Sequence, residues 1–247
     1  MPEMILLRHG QSLWNREGRF TGWADIDLSD EGKEETRCAG RLLKACGYSF
    51  DTAYTSFLKR AIRTLWIVQE EMDLMWIPVF PSWRLNERNY GALQGCSKKE
   101  IERKYGAVAV HRWRRGYVET PPAMDERDER YPANDQRYKM LKGNIPKAES
   151  LKDTLYRLLP LWHEKITPDL LAGKKVFVSA HGNTIRALVK HIDGISDRDI
   201  EDVEIPTGIP LVYMLDDELG PTAHFYLRDK ERRTACMIRF DSSDQPL

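Results

Sequence analysis

The apolar residues of this chain fall into short runs that alternate with longer stripes at helical spacing. Ile5, Leu6 and Leu7 form a run that stops at Arg8-His9-Gly10, which predicts a buried strand carrying His9 at its carboxyl end. Ser29 is placed to cap a helix with Ala39, Leu42, Leu43 and Cys46 on one face and Gly47 as its left-handed stop. A second strand is predicted near Ala53-Tyr54. Thr55 or Ser56 would then cap a helix bearing Leu58, Ile62, Leu65 and Val68, and Ile77 to Phe80 would form a third strand.

Between residues 97 and 150 this regularity gives way to Trp113-Arg114-Arg115, Thr120-Pro121-Pro122 and a charged run from Asp125 to Arg130. Ser97 and Glu100 have capping-box spacing, so this segment reads as a charged insertion of short helices and mobile loops. Leu151, Leu155, Leu159, Trp162 and Ile166 resume a helical stripe that Pro160 should kink. After Gly173, Val176 to Ala180 reads as a buried strand, His181-Gly182-Asn183 as a turn, and Ile185, Leu188, Val189 and Ile192 as one face of a helix. Leu211 to Leu215 and Phe225 to Leu227 are further strand candidates. The alternation implies an α/β fold, a mostly parallel central sheet with helices on both faces, as one domain over residues 1–247. Ligands of such sheets bind beyond the carboxyl ends of the strands, where the turns at His9 and His181 both fall.

Composition narrows the classes of function. Lysine plus arginine and aspartate plus glutamate total 38 each, so no net charge draws the chain to nucleic acid or to a membrane surface, and an anion site must be a local gathering of cations. No apolar stretch is long enough to cross a bilayer. Cys38, Cys46, Cys96 and Cys236 lack metal-finger or redox spacing, which is consistent with free thiols in a cytoplasmic protein. The six histidines include no His-x-x-x-His pair, and neither a Walker loop nor a glycine-rich dinucleotide fingerprint occurs, so metal and nucleotide chemistry lose support.

Two strand-histidine-glycine turns at one sheet edge point to histidine chemistry on an anion. A neutral imidazole attacks phosphorus through one nitrogen when the other is held as a donor to a carbonyl. Gly10 would let an anion approach the backbone. A phosphoryl group in flight spreads charge over its equatorial oxygens, so its catalyst needs converging donors, for which Arg8, Arg60, His181 and the amide of Asn15 are candidates. Arg60 stands at the start of a helix, unfavourable for a cation unless an anion lies nearby. Lys98, Arg114 and Arg115 are further cations in or before the insertion. Glu87 is a candidate proton shuttle, although spacing alone does not single it out among the acidic residues.

The run Leu7-Arg8-His9-Gly10-Gln11-Ser12-Leu13-Trp14-Asn15, continued by Arg19 to Trp23, resembles the signature of the 2,3-bisphosphoglycerate-dependent phosphoglycerate mutases of the histidine phosphatase superfamily. Similarity persists at Tyr54 to Ala61, Leu85 to Gly95, Trp113 to Gly116, Asp128 to Pro132, Ala180 to Asn183 and Ile205 to Gly208. The resemblance implies an isomerase of glycolysis and gluconeogenesis that interconverts 3- and 2-phosphoglycerate, is primed by 2,3-bisphosphoglycerate, needs no metal, and has synthase or phosphatase activity at most as a minor reaction. It also implies that His9 carries the phosphoryl group, Glu87 moves the proton and His181 stabilises the transition state. Arg8, Ser12, Asn15, Thr21, Gly22, Arg60, Tyr90, Lys98, Arg114, Arg115, Gly182 and Asn183 would contact phosphate and carboxylate groups. A homo-oligomer, with a dimer favoured, is expected on the same basis. Two features depart from the family pattern: Gln11 stands where glutamate is frequent, and the tail from about Arg228 is unlike the usual alanine- and lysine-rich ending.

Overall fold

The computed structural model describes residues 2–228. Its centre is a six-stranded sheet of β1 (Glu3–Arg8), β2 (Thr52–Thr55), β3 (Val79–Pro81), β4 (Val176–Ala180), β5 (Leu211–Leu215) and β6 (Pro221–Tyr226), in the order β3-β2-β4-β1-β5-β6. The four strands from β3 to β1 are parallel, whereas β5 runs antiparallel to both β1 and β6. The sheet is therefore mixed, with the expected parallel part carrying the histidine turns and an antiparallel edge beyond it.

Alternation along β1 divides the core. Met4 and Leu6 face a cluster that contains Val176, Val178 and Tyr213, covered by α6 (Leu151–Leu161) and α8 (Gly182–Asp193). Ile5 and Leu7 face the other side, where Phe177 and Val212 meet Ala39 and Leu43 of α2 (Asp30–Ala45) and Leu65 and Val68 of α3 (Lys59–Met72). Both faces of β1 and β4 are thus dry, which explains why these strands read as unbroken apolar runs.

Several local expectations need correction. Helix α3 begins at Lys59 without a side-chain cap, because the Ser56 hydroxyl bonds the Leu58 amide and His181 while Thr55 Oγ1 donates to the Ser179 carbonyl. Ser97 does precede a helix, α4 (Lys98–Tyr105), but its side chain caps nothing. Working capping boxes occur instead at Ser150 with Asp153 and at Ser12 with Asn15, the latter opening α1 (Leu13–Arg16). The third strand is shorter and later than the apolar run, since Ile77 turns into the core. The last strand starts earlier than its apolar residues because Pro221 and Thr222 lie exposed at an edge, where polarity carries no period.

Pro160 lies inside α6, and the ladder slips into a π-helical turn at Trp162–Ile166 before α7 (Thr167–Leu171). The missing proline N–H and the ring's clash with the preceding turn account for a disturbance at this point. The charged insertion contains α4 and α5 (Ala107–Arg115), followed by irregular chain and short 3-10 turns. Cys236 and the tail beyond Arg228 lie outside the described residues.

Candidate active site

His9 follows β1 and His181 follows β4, and the pairing of Arg8 with Ala180 sets the two turns side by side. The His9 amide continues the ladder to the Ala180 carbonyl at 3.1 Å. As a result the imidazoles meet edge to face with centroids 5.0 Å apart, both buried. Gly10 has a different role from the one expected. A Cβ there would lie 2.0 Å from the Gly32 carbonyl oxygen, so the glycine permits the first turn of α2 to pack on the loop.

The chemistry of His9 is set by its two nitrogens. Nδ1 lies 2.7 Å from the Gly10 carbonyl oxygen, which can only accept, so this nitrogen carries the proton. Nε2 is then a lone-pair acceptor, and it receives Arg60 Nε at 3.3 Å. Burial, then Arg60, then Arg8 drive the His9 pKa well below the ordinary imidazole value, keeping the ring neutral. His181 is lowered for similar reasons, burial first and Arg60 next. Its Nε2 lies 2.8 Å from Ser56 Oγ, and its buried Nδ1 has no partner.

Arg60 is fully buried, and burial lowers its pKa to about 10. The anions expected near it are Glu87 and Asp25, whose charges favour the guanidinium, while its direct bonds go to backbone: its two terminal nitrogens donate to the carbonyls of Ala24 and Gly22 at 2.9 and 2.8 Å. These contacts hold Nε against His9. Glu87 is fixed as firmly. Its Oε1 accepts from the amides of Arg88 and Asn183 at 2.8 and 3.2 Å, the second lying in the first turn of α8, where a carboxylate is favoured by the helix dipole.

These groups open on a cavity of about 210 Å³. Of the residues expected from sequence, Arg8, His9, Asn15, Thr21, Gly22, Arg60 and Glu87 line it, together with Tyr90, Lys98, Arg114, Arg115, Gly182 and Asn183. Two lie behind the wall: His181 packs against His9, and Ser12 spends its hydroxyl on the Asn15 amide while its own amide binds Asn15 Oδ1. That capping box uses the oxygen of Asn15 and leaves its amide nitrogen for the cavity. Gln11 is also engaged locally, through its amide to Glu35 and its side-chain oxygen to Ser29.

Six lining residues were not singled out by sequence reasoning: Arg19, Phe20, Arg186, Glu204, Ile205 and Pro206. Arg186 is informative, because it donates to the carbonyls of Arg114 and Arg115 at 3.2 and 2.8 Å and to Asn183 Oδ1 at 3.0 Å. Arg88, fully buried, adds a second bond to the Arg114 carbonyl and one to the Tyr90 hydroxyl, both 2.9 Å. The carboxyl end of α5 is thereby clamped by cations, which fixes two arginines at the cavity wall. Arg115 also forms an ion pair with Glu204, which holds that carboxylate below its usual range.

Seven lining residues are cationic and two are carboxylates, so the cavity selects an anion of high charge. Unpaired buried atoms agree. Among the described residues, three of the nine such side-chain atoms belong to lining residues, Arg8, Thr21 and Arg186, and one more to His181 behind the wall. Buried donors without partners are costly, and a multiply charged phosphate ester supplies the acceptors they lack. Among the described residues there is no group of three or more metal-ligating side chains.

A mixed α/β sheet with a neutral histidine pair at its carboxyl edge, ringed by arginines, defines a phosphohistidine class of enzyme, and the chain belongs to the histidine phosphatase superfamily (branch 1), which it matches over residues 4–139. Within that superfamily it is 57% identical over 230 residues to the 2,3-bisphosphoglycerate-dependent phosphoglycerate mutase of Nitrosococcus oceani, covering 93% of this chain and 96% of that one. Solved structures of similar fold include a mycobacterial glucosyl-3-phosphoglycerate phosphatase with VO3, at a TM-score of 0.66 and 22% identity over 87% of this chain and 93% of that one. The α-ribazole phosphatase from Shigella flexneri aligns with a TM-score of 0.64 and 18% identity, over 92% and 94% of the two chains. At those identities the likeness is one of fold.

Proposed function

We propose that this protein interconverts 3-phosphoglycerate and 2-phosphoglycerate through a phosphohistidine at His9, with 2,3-bisphosphoglycerate as the priming donor. The observation that carries the reading is the state of His9: proton held on Nδ1, Nε2 unprotonated against Arg60, and the residue lining an arginine-rich cavity, in a chain closely similar to a named mutase of this type.

His9 Nε2 attacks phosphorus as the P–O bond to the glycerate oxygen breaks, and Glu87 gives that oxygen a proton. In the reverse transfer Glu87 removes the proton of the accepting hydroxyl while the N–P bond breaks. Arg8 and Arg60 would face the equatorial oxygens, backed by His181, which lies against His9 and whose unpartnered Nδ1–H is free to donate toward the transferring group in the tautomer where Ser56 donates to Nε2. Lys98, Arg114 and Arg115 hold the remaining phosphate and carboxylate through both half-reactions. Tyr90 Oη accepts from Arg88 and Asn183, so its own proton is left for the ligand. Conversion of 3-phosphoglycerate with and without catalytic bisphosphate tests the assignment: turnover that needs the primer supports it, and turnover equally fast from dephosphorylated enzyme overturns it.

The same reading makes the protein a cytoplasmic dimer. Its support is the free thiols of Cys38, Cys46 and Cys96, and the exposed apolar side chains of Trp66, Met75, Trp76 and Phe80 on α3, the edge strand β3 and the chain between them. No helix among the described residues is long and apolar enough to cross a membrane. Sedimentation of wild type and Trp76→Glu distinguishes a dimer through this face from a monomer.

A further inference from the structure

A buried ion pair lies behind Glu87 and outside the cavity. Arg157 of α6 and Glu149, just before that helix, have side chains 7% and 3% exposed, and their bidentate contact is 2.6 and 3.1 Å. Such a pair is a poor way to gain stability, because desolvating both ions cancels much of their attraction. Its other bonds all converge on one segment. Arg157 Nη1 donates to the Arg84 carbonyl at 2.5 Å, and Nη2 to the carbonyls of Asn86 and Glu87 at 2.8 and 3.0 Å. Glu149 Oε2 accepts from the Asn89 amide at 2.8 Å, and the Glu149 amide returns a bond to the Asn89 carbonyl. The chain on both sides of Glu87 is thus held by one ion pair. The Glu87 carbonyl receives a second donor, Trp23 Nε1, at 2.6 Å. With that peptide fixed and Oε1 tied to two amides, only Oε2 is left to exchange a proton.

We propose that Arg157 and Glu149 are positioning residues that hold Glu87 in register with the departing glycerate oxygen. This inference rests on the reading of Glu87 as the proton carrier, so its test must separate proton delivery from the rest of catalysis. The leaving group does so. When His9 Nε2 takes phosphoryl from 2,3-bisphosphoglycerate, an alkoxide must be protonated as the P–O bond breaks; when it takes phosphoryl from 4-nitrophenyl phosphate, the weakly basic phenolate leaves without a proton.

The experiment is single-turnover phosphorylation of His9 with both donors, in wild type, Glu87→Gln, Glu149→Gln and Arg157→Met/Glu149→Gln, with circular dichroism and thermal unfolding as fold controls. Removing both charges avoids an unpaired buried ion, and Glu149→Gln alone keeps a neutral acceptor should the double variant not fold. The double variant is expected to lose roughly 10²-fold with bisphosphoglycerate, the scale of a misplaced acid-base group, yet stay within about threefold of wild type with the aryl donor. Glu149→Gln should show the same donor preference in smaller measure. If Glu87→Gln shows the preference but the folded pair variants lose both donors equally, or neither, the positioning inference is wrong. If Glu87→Gln itself shows no preference, the proton role of Glu87 fails, and the inference fails with it.

Discussion

Arg60 presents Nε to His9 Nε2 at 3.3 Å, so the attacking nitrogen rests against a buried cation that disfavours its protonation. Burial is the larger cause of the low His9 pKa and Arg60 the next. Imidazolium has no lone pair with which to attack, so phosphoenzyme formation falls away on the acid side. In Arg60→Gln the imidazolium is tolerated at higher pH, and that acid limb should move upward. The rate at its plateau should also drop by roughly 10²-fold for the lost donor. A pH series of single-turnover phosphorylation measures both, and an acid limb that stays in place contradicts the electrostatic role.

The same two histidines make stability depend on pH. Both have folded-state pKa values well below the ordinary 6.5, so below about that pH the unfolded chain binds protons that the folded chain refuses. Their contribution is therefore fully present above pH 6.5 and is lost progressively as pH falls. Thermal unfolding from pH 7.5 to 5 should show a declining Tm, and His9→Asn and His181→Asn should each flatten the decline. An unchanged slope in both variants counts against buried neutral imidazoles.

Labelled bisphosphoglycerate should leave an acid-labile, base-stable adduct on His9, as expected of a phosphoramidate. His9→Ala should abolish the adduct and essentially all mutase turnover. His181→Ala should slow its formation by roughly 10²- to 10³-fold, the usual cost of a lost oxyanion donor, without moving it. Peptide mapping decides, since an adduct on His181 reverses the assignment.

Arg186→Met should act on binding rather than on the chemical step. The variant releases the Arg115 carbonyl and leaves that of Arg114 to Arg88 alone, so the KM for phosphoglycerate should rise by roughly 10-fold, in line with the loss of charged hydrogen bonds, while kcat changes far less. A kcat collapse with KM unchanged would place Arg186 in the reacting centre instead.

Turnover should survive a chelator, because positive charge at this cavity is supplied by arginine and lysine. Loss on chelation with recovery on adding a divalent ion contradicts this.

Much of this structure is legible before folding. The unit from Val176 to Ile192 can be read almost residue by residue, because β4 is dry on both faces and α8 carries an unbroken stripe. Thirteen of the fifteen expected site residues line the cavity. What escapes is charge that goes inward. Arg157 stands three residues after Thr154 and four before Leu161, on the buried face of α6, and that placement is its single local sign. Glu149 follows Lys147 and Ala148 and looks like any solvated acid. Arg186 has the same disguise on α8. The start of α3 escapes for a related reason: Ser56 has the chemistry of a cap, but tertiary structure commits its hydroxyl to His181.

The pairing of Arg8 with Ala180 also governs when activity can arise. In the finished sheet β1 and β2 are separated by β4, so the two earliest strands bracket a slot that only a much later segment fills. On the ribosome, that slot leaves the edges of two apolar strands waiting, and closing it requires contacts of long sequence separation, a slow class of folding event. Insertion of β4 brings His181 to His9 and joins β1 to β2, leaving β5 and β6 to pair beyond β1. Competence therefore comes late in synthesis, because His181 and the last wall residues, Glu204 to Pro206, all follow the strand that fills the slot.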